Sequence, residues 1–332
     1  MSEMPVVAEG RRIRCAVGLV LLSPVCAEYV TGYDTSTGDP VQLLGGLLIF
    51  GPLYGAPALL IRELSRRFGV RWQGTLALAA ALGIAQAGLI DQSLFSESYR
   101  DIDYWAGMVA PTLIEPLRLS AYTAVAFVAG HVIWSFCIPI VMIEALRPDL
   151  AERPWLRWPG LIVTALLYVA AAALVLGDHL HTDTQHASAG QVAGAIGVIA
   201  VLVGFAWTGG RRVPVRRDTR VPSAWVVGAA SLVAALIFNV TPESWLGVVA
   251  GVAILVVSAP IVARLARSRR WSGRHVVALV TGALTARALV GFVVTPLGAV
   301  PPEAKYAHNV VFLVGAVLLG WWAARRTSSG HR

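Results

Sequence analysis

The chain has 332 residues, 56% of them hydrophobic and 14% charged, with a formal net charge of +8. Soluble domains carry about 25% charged residues, so this composition excludes a disordered chain and argues against an ordinary soluble enzyme. The excess of 27 Lys and Arg over 19 Asp and Glu would point to nucleic acid in a soluble protein. In a membrane protein it marks the cytoplasmic loops instead.

A helix that crosses a bilayer needs about 20 mainly apolar residues. Ten segments meet that description, at 13–30, 41–61, 73–92, 119–143, 159–177, 189–207, 223–240, 244–263, 275–295 and 307–324. In lipid each must satisfy its own backbone, so each is expected to be helical. The fold class is an all-α polytopic bundle of about ten spans, a single transmembrane domain over 1–332. Ten spans divide into possible halves, 1–187 and 188–332, as in inverted-repeat transporters, although no repeat is visible residue by residue.

The first segment follows Arg11, Arg12 and Arg14 and looks like a signal peptide. Ser23-Pro24-Val25-Cys26 is a distorted lipoprotein box. Val25 before the cysteine and Pro24 within the box favour a retained helix. Cys15, Cys26 and Cys137 all lie in apolar stretches and read as small buried residues rather than a disulfide framework.

With the N-terminus inside, 23 of the 27 basic residues fall in inner segments. Outside remain Arg100, Arg118 and Lys305, and Arg287 lies within a span. This asymmetry places both termini in the cytoplasm of a plasma-membrane protein. Trp72, Trp155, Trp158, Trp207, Trp271 and Trp321 read as inner interface anchors, and Trp105 and Trp245 as outer ones. The one long connection, 91–118, mixes Phe95, Tyr99, Tyr104 and Trp105 with acids. It suggests an interfacial helix, with Glu97 beside Arg100, returning at Pro111 and Pro116.

The runs SPVCAEYVTGYDTSTGDP (23–40), GPLYGAPALLIRE (51–63), QAGLIDQSLFSESYRDIDYW (86–105) and GHVIWSFCIPIVMIEALRP (130–148) resemble an uncharacterised family of bacterial multi-pass integral membrane proteins. The resemblance covers about residues 23–148. It implies a membrane fold and attaches no activity and no site residues. Better-understood intramembrane enzymes fit poorly. A CAAX-protease-like site needs a Glu-Glu pair and two later helical histidines, and neither rhomboid-type nor HExxH patterns occur.

Ionisable residues within spans are costly and need a partner or a cavity. Arg287 lies near the middle of the ninth segment, as either a structural ion pair or an anion contact. His131 lies near the centre of the fourth, one turn before Ser135, as an interhelical hydrogen-bonder or a proton carrier. Glu28, Gln86 and Asp91 lie in the outer parts of the first and third segments. Glu28 or Asp91 is the expected partner of Arg287, while Glu144 lies at an inner end. Gly51-Pro52-Leu53-Tyr54-Gly55-Ala56-Pro57 predicts a kink in the second segment, with Tyr54 as either a ligand contact or a core residue. In the outer loop 178–186, His179, His181, Asp183 and His186 are weak candidates for a metal site against a plain solvated loop. No cofactor is implied.

These features point to a small transporter or permease with a polar site in the outer half of the bilayer. Its partners would be the lipid bilayer and a small anionic or zwitterionic substrate, with no nucleic acid. Two alternatives stay open: an intramembrane enzyme acting on a lipid or membrane substrate, and a non-catalytic membrane assembly or interaction protein.

Overall fold

The computed structural model describes residues 6–213 and 215–328. Among these, ten long helices follow one another: α1 (6–29), α2 (Pro40–Arg67), α3 (Trp72–Ile90), α4 (Ala121–Leu146), α5 (Trp158–Thr182), α6 (Ala189–Trp207), α7 (Ala224–Asn239), α8 (Trp245–Ala266), α9 (Gly273–Val290) and α10 (Pro302–Ser328). Each lies at one of the ten apolar segments. Seven, α2 to α6, α8 and α10, are long and apolar enough to cross a membrane.

Several helices start where a short polar side chain can replace a missing backbone partner. Asp39 accepts from the amides of Val41 and Gln42 at the head of α2, where Pro40 is pre-set for a first helical position. Ser120, Ser223 and Ser244 do the same for α4, α7 and α8. Ser188 and Gln191 form a reciprocal capping box on α6.

Helices α1 to α4 each contain one π-helical stretch: Val25–Tyr29, Gly51–Gly55, Ala85–Ile90 and His131–Cys137. The expected irregularity at 51–57 falls on one of these π turns, within a helix that is continuous from Pro40 to Arg67. Pro52 lacks an amide hydrogen and its ring crowds the preceding turn. The wider π turn takes up that crowding without interrupting the helix.

Two apolar clusters share α1 and α4. One joins Cys26 and Trp134 to Phe238 of α7, Leu284 of α9 and Ala316 of α10. The other joins Leu19 and Phe136 to Leu59 of α2, Leu78 of α3 and Ala206 of α6. Two glycines allow the tightest crossings. A Cβ on Gly55 would lie 2.2 Å from the Val20 carbonyl oxygen, and one on Gly282 would lie 2.3 Å from that of Gly228. Small residues at such crossings let helices approach where apolar lipid offers no driving force of its own. Helices α5, α6 and α8 sit at the periphery, with Leu166, Val201 and Val256 exposed on their outer faces.

The arginine-rich connections meet at one end. Arg62 of α2 bonds Glu144 of α4, Arg71 donates its amide to Gly210, and Ser268 bonds Thr219. At the other end, segment 91–118 departs from the expected interfacial helix. It holds a 3-10 turn at Tyr99–Asp101, a helical turn at Trp105–Val109, and a hairpin pairing Leu113–Ile114 with Leu119–Ser120. Glu97 pairs with Arg118 at 2.7 Å and Arg100 with Asp178 at 2.8 Å, not with each other. Trp105 is buried, stacked near Tyr99 and Phe127, and donates to the Ser96 carbonyl. The segment thus packs Tyr99 and Trp105 on the bundle and leaves Tyr104 exposed.

Candidate functional site

The four π turns carry four of the six residues singled out from the sequence: Glu28, Tyr54, Gln86 and His131. A π turn inserts one extra residue and loosens the local hydrogen-bond ladder, and such turns recur at functional sites. Its sequence signal here is a Gly, Pro or Ser within an apolar stretch, beside the polar residue.

Glu28 accepts a hydrogen bond from the Tyr33 hydroxyl and lies close to that of Tyr54. The Tyr54 ring stacks on His131, with centroids 5.9 Å apart. His131 Nδ1 lies 3.3 Å from the Ser135 hydroxyl one turn along, and the Ser135 carbonyl accepts from Ser23 of α1 at 2.5 Å. On the facing helix, Arg287 donates from Nη1 to Asn239 Oδ1 at 2.7 Å. Its guanidinium lies 5.0 Å from the Trp134 ring centroid, a cation–π contact. The indole of Trp134 is itself fixed by a 3.1 Å bond to the Ala283 carbonyl.

Arg287 and Glu28 interact electrostatically, yet no ion pair joins them among the described residues. Arg287 Nε is buried without a hydrogen-bond partner. Glu28, Tyr33, His131 and Arg287 are each half-buried although α1, α2, α4, α7 and α9 close round them. A cation, a carboxylate and phenolic hydroxyls thus lie among the same helices without the two charges bonding each other.

Gln86 and Asp91 form an adjoining group. Gln86 is buried and accepts from the Tyr168 hydroxyl of α5 at 3.5 Å. Asp91 follows the π turn of α3 and accepts the Ser93 amide at 2.8 Å. It reaches Glu28 and Arg100 only through its field. The structure therefore sets Glu28 and His131 beside Tyr54, while Arg287 and Asp91 each reach Glu28 through their fields and Gln86 contacts Tyr168.

Residues 178–182 are the last turn of α5 and not the start of a loop. His179 is fully buried, 3.7 Å from Asp183, with the His186 ring centroid 5.7 Å away. Asp183 is already engaged, accepting the amides of Arg100 and Gln185. His181 is exposed on another face. Among the described residues no group of three His, Cys, Asp or Glu is arranged to hold a metal ion.

Two features escape a reading of the sequence alone. Arg62 is fully buried, bonded to Glu63 at 2.6 Å, to Glu144 at 3.1 Å, and to the carbonyls of Leu150 and Ala151. Arg66 completes the network on Glu144 at 2.6 Å. Trp155 is not an interface anchor. It is buried with the Arg62 guanidinium 3.6 Å over its ring, and its amide donates to Glu63. In sequence these arginines look like topology signals; the clue was Glu63 placed directly beside Arg62. The second feature is His308, a further buried helical histidine. It accepts the Gly38 amide at Nδ1, which makes Nε2 the donor to the Tyr29 carbonyl at 2.7 Å.

Comparison with curated proteins and with solved structures gives no match. A family model described as an uncharacterized membrane protein family matches residues 18–329. The match extends well past the first half of the chain, through the helix that carries Arg287 and on to α10. With several helices apolar and long enough to cross a bilayer, the chain is a multi-pass membrane protein and belongs to that family.

Proposed function

We propose that the protein is a small permease of the plasma membrane, crossing it about ten times with both termini in the cytoplasm. Its site is the Glu28–Tyr54–His131–Arg287 constellation, in the outer half of the bilayer. The observation that carries this reading is the placement of Glu28, Tyr54 and His131 on π turns of three helices, opposite an Arg287 that does not bond the carboxylate it faces. A small substrate bearing a carboxylate or similar anion would pair with the Arg287 guanidinium, whose Nε is buried without a hydrogen-bond partner. Glu28 or His131 would supply the coupling proton. The intramembrane-enzyme alternative draws less support. It needs a histidine bonded to an acid, and among the described residues His131 bonds only Ser135.

The test is electrogenic uptake by proteoliposomes offered a panel of carboxylates and amino acids under an inward proton gradient. A response lost in Arg287→Gln and uncoupled from the gradient in Glu28→Gln, with both variants inserted, is the expected result. Unchanged uptake in Arg287→Gln removes the residue from the site. No response to any member of the panel overturns the permease reading.

A further inference from the structure

A second feature lies at the arginine-rich end, away from the constellation just described. A cleft of about 580 Å³ opens between the start of α1 and the end of α10, with the end of α4 as its floor. Four guanidiniums line it, those of Arg11, Arg14, Arg147 and Arg326, against one carboxylate, Asp149. Asp149 is occupied by a bidentate pair with Arg147. Two helices end here and one begins, so the helix dipoles bring about half a negative charge in all. Once Arg147 and Asp149 are paired, Arg11 and Arg14 remain as positive charge on the wall that α1 supplies.

The walls are not those of a water-filled basin. The floor is apolar, made by Ile143 and Leu146. Beyond it, exposed apolar residues lie one turn on from lining residues, Val17 after Arg14 on α1 and Leu318 before Trp322 on α10. Positive charge at a helix end, continuous with apolar surface along the helices, matches an amphiphile with an anionic head and hydrocarbon tails.

We propose that this cleft binds a phosphate anion, carried by the headgroup of an anionic phospholipid whose chains lie along α1 and α10. Arg11 and Arg14 supply the charge, and Ile143 seats the first methylenes. An arginine near an anionic surface contributes about 1 kcal/mol, so losing two weakens binding roughly thirty-fold.

The experiment is native mass spectrometry of the full chain in detergent, titrated with dioleoylphosphatidylglycerol and with dioleoylphosphatidylcholine. Arg11→Gln with Arg14→Gln is expected to lower phosphatidylglycerol affinity roughly thirty-fold and to leave phosphatidylcholine unaffected. The control pair Arg216→Gln with Arg217→Gln, in another exposed basic connection, should change neither. Ile143→Trp fills the floor without altering charge and should weaken the lipid but not inorganic phosphate. If millimolar inorganic phosphate displaces the lipid and Ile143→Trp has no effect, the site is a phosphate site for the free ion and the lipid source is overturned. Equal phosphatidylglycerol affinity in native and Arg11/Arg14 protein overturns the site altogether, as does equal loss in the control pair.

Discussion

Removing Arg62 should be the most damaging single change at the arginine-rich end. The four charges of Arg62, Arg66, Glu63 and Glu144 sum to zero in a volume where Arg62 and Glu63 have no exposed side-chain surface. Arg62→Met keeps much of the bulk over Trp155 but removes the donors to two carboxylates and two carbonyls. Glu63 keeps the Trp155 and Leu156 amides and retains only Arg67, at 3.8 Å, as counter-charge. Breaking a buried pair from one side costs about 3–5 kcal/mol. Glu144→Gln should cost less, about 1.5–3 kcal/mol, because Arg62 keeps Glu63 and both carbonyls. In the double variant the lost charges cancel, so its cost should fall short of the sum by about 1–2 kcal/mol. The assay is a dodecyl sulfate titration of detergent-purified protein followed by tryptophan fluorescence and far-ultraviolet circular dichroism. An Arg62→Met protein within about 1 kcal/mol of the native one, or strict additivity in the double variant, would refute this account of the network.

Gly55→Ala places a methyl group against the Val20 backbone and should cost about 1–3 kcal/mol in the same titration. Gly45→Ala, where a Cβ meets nothing within 4 Å, should be neutral or stabilising by about 0.5–1 kcal/mol; equal effects would remove the close crossing as the cause. Asp39 is held below the usual carboxylate range by the Gln42 amide first, then by the Gln42 side chain and the Val41 amide. Its folded value is depressed, so its contribution is present above the unfolded value of about 3.9 and is lost as pH falls through the folded value. Asp39→Asn should flatten that acid limb of a stability-against-pH profile while preserving the cap, and an unchanged limb would assign it to other acids. His308→Leu leaves the Gly38 amide without its acceptor and should cost about 1–3 kcal/mol. His308→Gln should recover part of that loss in a thermal melt, whereas no difference between the two would mean that packing alone holds α10 there.

The helices were legible because apolar runs about twenty residues long, ended by Arg, Gly, Pro or Ser, carry most of their information locally. The polar candidates were legible for a related reason. A charge in an apolar run is conspicuous, and Glu28 and His131 both lie beside Tyr54, whereas Arg287 bonds Asn239. What the residues did not disclose was geometry between helices. Whether Arg287 bonds Glu28 or Asn239 depends on how α9 crosses α1 and α7, and nothing local encodes that. Arg62 was hidden for the opposite reason. It belongs to a dense basic stretch whose average meaning is topology, so its individual burial had no signal apart from Glu63. The 91–118 segment misled because aromatic residues among acids suit both an interface and a folded cap. His179 was mistaken for a loop residue because Asp178-His179 does not stop a helix already under way.

A π turn also holds the azimuth of whatever lies beyond it while taking up an extra residue. Deleting one residue from Gly51–Gly55 would remove the extra residue and leave the far part of α2 in its present phase, whereas deleting one from the regular α-helical run between Ala56 and Arg62 would rotate that part by about 100°. Arg62, Glu63 and Arg66 would then swing away from Glu144 and Trp155, which hold them now. The number of residues between Tyr54 and Arg62 is thus an indexing constraint that ties two distant polar groups to one phase. A single-residue length change there is a rotation, felt at the opposite end of the helix, and not a local defect.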